Sequence, residues 1–262
     1  MIKEFKDKNQ WALVLGGSKG LGFASALKLA QHGLNIICIH RDRKSELQDI
    51  HDNFAQIETE AQFYNYNIDL LNSDKRKETL QDIQSRIGSG NLKVLIHSIA
   101  KGNLKPMIND RIELKNDDFQ LTINAMAISL YDWAKGCFDV QLFSDDARIL
   151  SFTSEGSTKA WPNYAAVSAA KASLEAITRS IALEFAPYNI KANCLQPGAV
   201  DTASLRMIPG FESIIAHSKA RNPYNRLTTA NDVANVVYLM SKDEASWING
   251  CVIPVNGGEH IN

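Results

Sequence analysis

Tyr164 and Lys171 are the two side chains of this sequence whose types and spacing best suit catalysis. They are seven positions apart in a helical stretch, and 3.6 residues per turn bring such positions to nearly one face. A lysine ammonium close to a tyrosine lowers the pKa of the phenol. A hydroxyl placed in this way can stabilise an oxygen that gains negative charge during a reaction. The pair therefore predicts oxyanion stabilisation, and the alternative is that Tyr164 is only a partly buried aromatic at a helix start.

A glycine-rich turn, Gly16-Gly17-Ser18-Lys19-Gly20-Leu21-Gly22, follows the first apolar run and precedes a helical stretch. Glycines let the backbone turn tightly and approach a pyrophosphate, whose charge the amide groups at a helix N-terminus bind. The position between a first strand and a first helix is the context that supports a dinucleotide site. The predicted contacts from this turn are Gly16, Ser18, Lys19, Gly20, Leu21 and Gly22.

The end of the second strand candidate bears on which nicotinamide cofactor binds. His40 and Arg41 lie there, with Asp42 next, and Lys19 comes from the glycine turn. An acidic residue in this region binds the ribose 2′-hydroxyl of NAD, whereas a guanidinium matches the geometry of a 2′-phosphate. The two cations predict NADPH rather than NADH. The alternative is that both cations are solvated and Asp42 binds the ribose.

These candidate residues need a scaffold, and the chain alternates short apolar runs with longer helical stretches. The strand candidates are 12–15, 35–39, 62–66, 94–97, 148–152, 191–195 and 251–255. The helix candidates are 20–32, 43–60, 73–87, 117–140, 163–188 and 230–241. This alternation predicts an α/β fold, a Rossmann-like doubly wound parallel sheet of about seven strands flanked by helices. No repeat or linker divides the sequence, so residues 1–262 are expected to form one domain.

Residues 203–225 interrupt the alternation between a strand candidate and a helix candidate. Apolar side chains surround a Pro209-Gly210 turn in this segment: Leu205, Met207, Ile208, Phe211, Ile214 and Ile215. An insertion near strand ends is a candidate substrate lid. An ordinary pair of surface helices is the alternative.

Composition excludes several classes of function. The chain has 28 basic and 29 acidic side chains, so its net charge of −1 offers no general attraction for nucleic acid or an anionic membrane. No apolar run reaches the roughly 20 residues of a membrane span. The segment Met1 to Lys8 lacks the apolar stretch of a secretion signal, so a cytoplasmic location is expected. The four cysteines are far apart, as in a reduced protein without a metal site.

The GxxxGxG spacing of the glycine turn resembles the short-chain dehydrogenase/reductase superfamily. Most of that superfamily uses Tyr-x3-Lys, but here Val167 stands where that tyrosine would be, and the spacing is Tyr164-x6-Lys171. This spacing, with His97-Ser98-Ile99-Ala100 after the fourth strand candidate, resembles enoyl-acyl-carrier-protein reductases. The serine at Ser154 is similar to that of the type III enzymes, which use NADPH. The resemblance covers essentially the whole chain.

The resemblance also implies roles for individual residues. Tyr164 would hydrogen-bond the enolate oxygen and Lys171 would hold the ribose of the nicotinamide, while His97 is expected to be structural. Asn124 matches an asparagine that links a bound water to the lysine, and Ser154 would orient the thioester or simply form a turn. The further cofactor contacts that the resemblance implies are Arg41, Asp69, Leu70, Ser98, Ile99, Ala100, Pro197, Gly198, Val200 and Thr202.

The predicted activity is NADPH-dependent reduction of the trans-2 double bond of enoyl thioesters in acyl-chain biosynthesis. Hydride goes to Cβ in that reaction and charge develops on the thioester oxygen, three bonds away. The three extra residues in the Tyr-Lys spacing displace the hydroxyl about 4.5 Å along the helix, which suits this separation. The alternatives are a 3-oxoacyl-thioester or carbonyl reductase and a catalytically silent cofactor-binding protein.

The expected partner is an acyl thioester, carried by acyl carrier protein or by coenzyme A. A carrier protein is acidic, so a docking patch should be locally basic. The cations expected near the mouth of the site are Lys101, Lys105, Arg206, Lys219 and Arg221. The family resemblance further implies a homotetramer. We expect no metal, nucleic acid or membrane at the site.

Overall fold

The computed structural model describes residues 3–262, so Met1 and Ile2 of the predicted N-terminal segment lie outside it. Seven strands in this range form one parallel sheet in the order β3-β2-β1-β4-β5-β6-β7. Their bounds are β1 Trp11–Leu15, β2 Asn35–His40, β3 Phe63–Asn67, β4 Leu92–His97, β5 Phe143–Phe152, β6 Ile190–Pro197 and β7 Val252–Val255. The predicted Rossmann-like sheet is thereby confirmed.

Nine α-helices within the described range flank the sheet. Their bounds are α1 Gly20–Gln31, α2 Leu47–Glu58, α3 Ser73–Ile87, α4 Asn116–Ile123, α5 Ser129–Asp139, α6 Ala165–Glu184, α7 Ala203–Arg206, α8 Phe211–Arg221 and α9 Ala230–Ser241. Side-chain hydrogen bonds to backbone amides explain where two of these helices begin. The Asn72 side chain accepts from the Lys75 amide before α3, and Thr229 and Asp232 form a capping box before α9.

The two faces of the sheet carry separate cores because successive side chains of a strand point to opposite faces. On β1, Leu13 and Leu15 belong to one core, and Ala12 and Val14 belong to the other. The first core is closed by residues of α3, α5 and α6, and the second by residues of α1, α2 and α9. Strands that are buried on both faces explain the uninterrupted apolar runs in the sequence.

The strand order reverses between β1 and β4, which pair in parallel register with Leu15 opposite His97. Parallel strands on either side of such a reversal leave a crevice outside their carboxyl ends. The glycine turn follows β1 at this edge, and the segments after β4, β5 and β6 end there as well. The fold therefore brings the ends of these four segments, and the predicted site residues they carry, to one edge of the sheet.

The structure differs from the predicted helices in one place that matters for the site. The expected continuous helix 117–140 is divided into α4 and α5 by a π-helical turn, Asn124–Ile128. Such turns mark an inserted residue and often lie at functional sites. The segment 203–225 contains the two helices α7 and α8, separated by a glycine, Gly210, with a φ of 77°.

Candidate active site

Tyr164 lies immediately before α6, and its side chain is buried at the bottom of a cleft. Ser154, in the segment after β5, hydrogen-bonds the tyrosine and accepts from the Gly156 amide at 3.1 Å. Burial raises the pKa of Tyr164, and the hydrogen bond with Ser154 opposes this rise. The phenol is therefore a neutral hydrogen-bond donor at physiological pH.

The position of the Tyr164 ring is fixed from two sides. The Trp161 ring lies 5.1 Å from it, centroid to centroid. A Cβ added to Gly156 would lie 2.6 Å from the Cε1 atom of Tyr164, so only a glycine allows the backbone to approach the ring this closely. The turn after β5 thus forms one wall against which the tyrosine packs.

Lys171 lies on α6, almost two turns beyond Tyr164, and is 6% exposed. Its Nζ atom donates to the carbonyl oxygen of Phe152 at 2.7 Å. Burial lowers the pKa of Lys171 to about 8, and the negative charge of Glu175 opposes this shift. An ammonium with one backbone partner keeps donors available for a ligand above it.

A cavity of about 200 Å³ opens over Tyr164 at the carboxyl edge of the sheet. The predicted site residues that line it are Leu21, Ala100, Ser154, Tyr164, Pro197, Gly198, Val200 and Thr202. The segment 203–225 contributes further lining residues, Ser204, Leu205, Ile208, Ile214 and Ser218. Residues that are far apart in the sequence therefore meet at this cavity, and the inserted segment borders it.

The glycine turn fits a dinucleotide. Gly16 has a φ of 82°, and a Cβ there would lie 2.4 Å from the carbonyl oxygen of Ser98. A Cβ on Gly22 would lie 2.1 Å from the carbonyl oxygen of Gly16, so the turn can be this tight only with glycines. Among residues 3–262, no side chain caps the N-terminus of α1, and its first turn carries no acidic residue. Its amide groups and its positive dipole end are thus available for a pyrophosphate.

Both cations at the adenosine end are paired with carboxylates. Arg41 donates to Asp69 at 2.7 Å, and Lys19 pairs with Glu46 at 2.9 Å and with Asp42 at 3.4 Å. Asp69, one of the implied cofactor contacts, is thereby engaged with Arg41.

Asp42 itself is held in place by its neighbours. His40 Nδ1 lies 2.8 Å from an Asp42 carboxylate oxygen. Burial raises the pKa of Asp42, but hydrogen bonds with Ser18 and His40 and the charge of Lys19 outweigh this effect and hold the pKa below its usual value. The adenosine end therefore carries an ionised, oriented carboxylate between its two cations.

Asn124 is not brought to the cavity. It is exposed at the start of the π-helical turn, whereas Met126, two residues later, is buried and lines the cavity. The sequence pattern could not show this because the π turn changes which residues of the predicted helix face the sheet. Leu70, Ser98 and Ile99 lie at the same edge of the sheet but do not line this cavity.

Three of the five predicted docking cations, Arg206, Lys105 and Arg221, form ion pairs with carboxylates. Arg206 pairs with Asp201 at 2.7 Å, and Lys105 pairs with Asp118 at 2.8 Å. Lys101 and Lys219 are exposed.

Arg221 is largely buried, and it connects α8 to the turn after β5. Its guanidinium donates to both carboxylate oxygens of Glu155, at 2.7 and 3.1 Å, and to the carbonyl oxygen of Glu259 at 2.9 Å. The hydrogen bond from Arg221 lowers the pKa of Glu155 to about 2. Because Glu155 follows Ser154 directly, this pair ties the end of α8 to the turn that packs against Tyr164.

Sequence reasoning missed several residues of the site. Thr153, Glu155, Trp161, Asn256 and Glu259 all line the cavity. Thr153 precedes Ser154, and Trp161 is three residues before Tyr164, so their closeness in the sequence could have indicated that they line the cavity. Asn256 and Glu259 reach the cavity only because β7 lies beside β6.

No three His, Cys, Asp or Glu side chains in the described part of the chain converge in a way that could hold a metal ion. From residue 3 onward, no helix combines the length and apolar content that crossing a bilayer requires. The buried thiols of Cys38, Cys137 and Cys194 have pKa values raised by burial.

Residues 16–260 match the family model described as enoyl-(acyl carrier protein) reductase. The chain is 28% identical over 251 residues to the 3-oxoacyl-(acyl-carrier-protein) reductase of Pseudomonas aeruginosa, covering 96% of this chain and 97% of the relative. It is 24% identical over 259 residues to the enoyl-(acyl-carrier-protein) reductase (NADH) of Enterococcus faecalis, covering 98% of both. The Bacillus cereus enoyl-acyl carrier protein reductase, solved with NADP+ and an indole naphthyridinone, has a similar fold, with a TM-score of 0.88 at 23% identity over 100% of this chain and 99% of that one.

Proposed function

Because the chain belongs to the enoyl-(acyl carrier protein) reductase family within the short-chain dehydrogenase/reductases, it is an oxidoreductase, and we propose that it reduces the trans-2 double bond of enoyl thioesters with NADPH. The observation that carries this proposal is the location of the buried hydroxyl. Tyr164 lines the cavity together with Ser154. Val167, one turn further along α6, stands where most of the superfamily has its tyrosine, and its side chain is apolar and buried. The donor is thus displaced from the position that carbonyl reduction uses.

The tyrosine would act on the thioester oxygen. When hydride reaches Cβ of an enoyl thioester, negative charge collects on that oxygen as an enolate. A neutral phenol in a buried site donates a strong hydrogen bond to such an oxygen, because no water competes and little reorganisation is needed. Ser154 hydrogen-bonds the phenol and would keep it aimed into the cavity.

Lys171 would hold the ribose next to the nicotinamide. The cofactor supplies the hydride, and the residues that would hold it are the glycine turn, Lys171 and the segment Pro197–Thr202. The ammonium of Lys171 is anchored by the Phe152 carbonyl and retains donors for hydroxyl groups. Its positive charge also favours the developing enolate nearby.

The acyl chain would lie against the apolar wall of the cavity. This wall consists of Leu104, Met126, Trp161, Val167, Leu205, Ile208 and Ile214. Three of these side chains come from the segment 203–225, so we propose that this segment is the substrate lid and that residues 1–262 work as one reductase domain. Covering the site would remove water from the enolate and strengthen the Tyr164 hydrogen bond.

The NADPH preference rests on Arg41 and Lys19 at the end of β2 and in the glycine turn. A 2′-phosphate carries more charge than one carboxylate, so it would compete with Asp69 and Glu46 for these cations. The ionised Asp42 opposes the phosphate, and the preference for NADPH is therefore expected to be modest. Measuring Kd for both nucleotides at equal ionic strength tests this directly.

Acyl carrier protein is the proposed carrier of the substrate. Lys101 and Lys219 are the exposed cations near the lid that an acidic partner could contact. Neutralising both should raise KM for carrier-bound substrate by severalfold and leave the coenzyme A thioester nearly unaffected. Equal effects on both carriers would exclude docking by these lysines. A cytoplasmic homo-oligomer, a tetramer by family resemblance, completes the proposal.

A second candidate is a 3-oxoacyl-thioester reductase. Ser154 falls at the sequence position of the serine of the common reductases, and the Pseudomonas aeruginosa relative has a name of that class. A third candidate is a cofactor-binding protein without catalytic activity. It would require that the Tyr164 and Lys171 pair takes part in no reaction.

The experiment is to follow NADPH oxidation with crotonyl and acetoacetyl thioesters side by side, each on coenzyme A and on acyl carrier protein. The proposal predicts that the crotonyl thioester is turned over at least about tenfold faster. Preference for the acetoacetyl thioester would establish the second candidate. Nucleotide binding without oxidation by either thioester would establish the third.

A further inference from the structure

Glu175 is a carboxylate buried beneath the active site, where no substrate or cofactor would touch it. It is 9% exposed and lies on α6, one turn beyond Lys171. Thr153 Oγ1 donates to its Oε1 atom at 2.5 Å. Acidic side chains are rarely buried to this degree unless they have a partner, because removing the charge from water is costly. The proposed mechanism gives Glu175 no role, so its burial needs an explanation.

The titratable groups around Lys171 explain why a carboxylate is buried at this position. His97 on β4 acts on the ammonium, but burial lowers the pKa of His97 to about 3, so this imidazole is neutral. Cys194 on β6 is protonated because burial raises the pKa of its thiol, and burial likewise keeps the Tyr164 phenol protonated. Of the titratable groups between residues 3 and 262 that act on Lys171, Glu175 is therefore the anionic one.

Glu175 and Lys171 also grip the same segment. Lys171 donates to the carbonyl of Phe152, the last residue of β5, and Glu175 accepts from the next residue, Thr153. The residue after that is Ser154, which hydrogen-bonds Tyr164. Two successive turns of α6 thus hold two successive residues of the segment that aims the tyrosine.

We infer that Glu175 is a positioning residue: its buried charge keeps Lys171 an ammonium, and its hydrogen bond with Thr153 holds the segment that carries Ser154. The effect on Lys171 does not depend on which substrate is reduced. Its consequence for turnover rests on the proposed function.

The experiment compares Glu175→Gln with the unaltered chain in two measurements. Gln keeps an oxygen that can accept from Thr153 but removes the charge. The first measurement is an NMR titration of 13Cε-labelled lysine, with the Lys171 signal assigned from Lys171→Ala. We expect the pKa of Lys171 to fall from about 8 by about one pH unit, because an attractive charge is lost. The second is the pH profile of crotonyl-thioester reduction, in which turnover at pH 8 should fall about fivefold while turnover at pH 6 changes little.

Matched variants separate charge from structure. Glu184→Gln removes an exposed charge from the end of the same helix, and it should leave the Lys171 titration unchanged. Thr153→Val removes the hydrogen bond but keeps the charge of Glu175, so it should lower turnover at every pH without the large shift in the titration. If Glu175→Gln does not fold, Glu175→Asp retains a shorter carboxylate and should move the titration in the same direction by less.

An unchanged Lys171 titration in the folded Glu175 variant overturns the inference, whatever the activity. A shifted titration in a protein that reduces no enoyl thioester supports the inference and rejects the proposed function. A shifted titration with an unshifted turnover profile would show that Lys171 need not be charged during catalysis, which contradicts the part of the inference that concerns turnover.

Discussion

The two ends of the cofactor crevice are built by opposite means. At the catalytic end, Lys171 is 6% exposed and Tyr164 8% exposed, and both are fixed by neighbours that solvent cannot replace. At the adenosine end, the Lys19 side chain is 41% exposed and that of Arg41 is 60% exposed, and both are paired with carboxylates. At the catalytic end, burial determines the protonation and the position of the two side chains. At the adenosine end, binding of a phosphate would require the two solvent-exposed cations to exchange their carboxylate partners for it.

This difference determines how large the effect of a substitution will be. A hydrogen bond to a developing charge in a buried site is worth far more than the same contact in water. Exposed ion pairs contribute about 1 kcal/mol or less and weaken with salt. Substitutions at the catalytic end should therefore change rates by orders of magnitude, and substitutions at the adenosine end should change affinities by small factors.

The largest effect is expected for Tyr164→Phe. Loss of the hydroxyl should lower kcat about 100- to 1,000-fold, since one oxyanion donor is removed, while Kd for NADPH stays nearly constant. Steady-state kinetics and nucleotide fluorescence titration measure the two quantities. Tyr188→Phe, at an exposed tyrosine, is the matched control and should behave like the parent chain. An unchanged kcat for Tyr164→Phe would remove the tyrosine from the mechanism.

Gly156→Ala should have the next largest effect. Its methyl group would lie 2.6 Å from the Tyr164 ring, so the ring must move. Displacement of the hydroxyl by a fraction of an ångström to about 1 Å should cost about 10- to 100-fold in kcat. Ser157→Ala, in the same turn, serves as the control. Full activity in Gly156→Ala would mean that the ring position is not critical.

The pH dependence of turnover tests the buried lysine. With the pKa of Lys171 lowered to about 8 by burial, the ammonium is present below this pH and is lost above it. Turnover should therefore be nearly level from pH 6 to 7, fall to half near pH 8 and drop about tenfold per pH unit beyond. A profile that stays level to pH 10 would show that Lys171 is not needed as a cation.

Arg41→Ala should give the smallest effect of the series. It should weaken NADPH binding about tenfold and leave NADH binding within about twofold, because only the 2′-phosphate is concerned. Raising the salt concentration should narrow the difference between the parent and the variant. Lys44→Ala, which removes an exposed cation nearby, is the control. Equal losses for both nucleotides would place Arg41 elsewhere than at the phosphate.

The sequence predicted the scaffold well because burial on both faces of the strands leaves apolar runs, and glycines mark the turn after β1. It predicted the Tyr164 and Lys171 pair because helical periodicity links positions seven apart. It did not show that Arg41 pairs with Asp69, that Arg221 pairs with Glu155, or that Thr153 pairs with Glu175. These contacts join residues that are 28, 66 and 22 positions apart, and only the packed fold brings them together.

The displaced hydroxyl of Tyr164 is proposed to direct reduction to the double bond. The most direct measurement uses NADPH deuterated at the transferable position with crotonyl thioester, and locates the deuterium in the product by NMR. We expect a butyryl thioester with one deuterium on Cβ, and loss of this product in Tyr164→Phe. Absence of deuterium from Cβ, together with deuterium at the hydroxyl-bearing carbon of the product from acetoacetyl thioester, would contradict it and identify a carbonyl reductase.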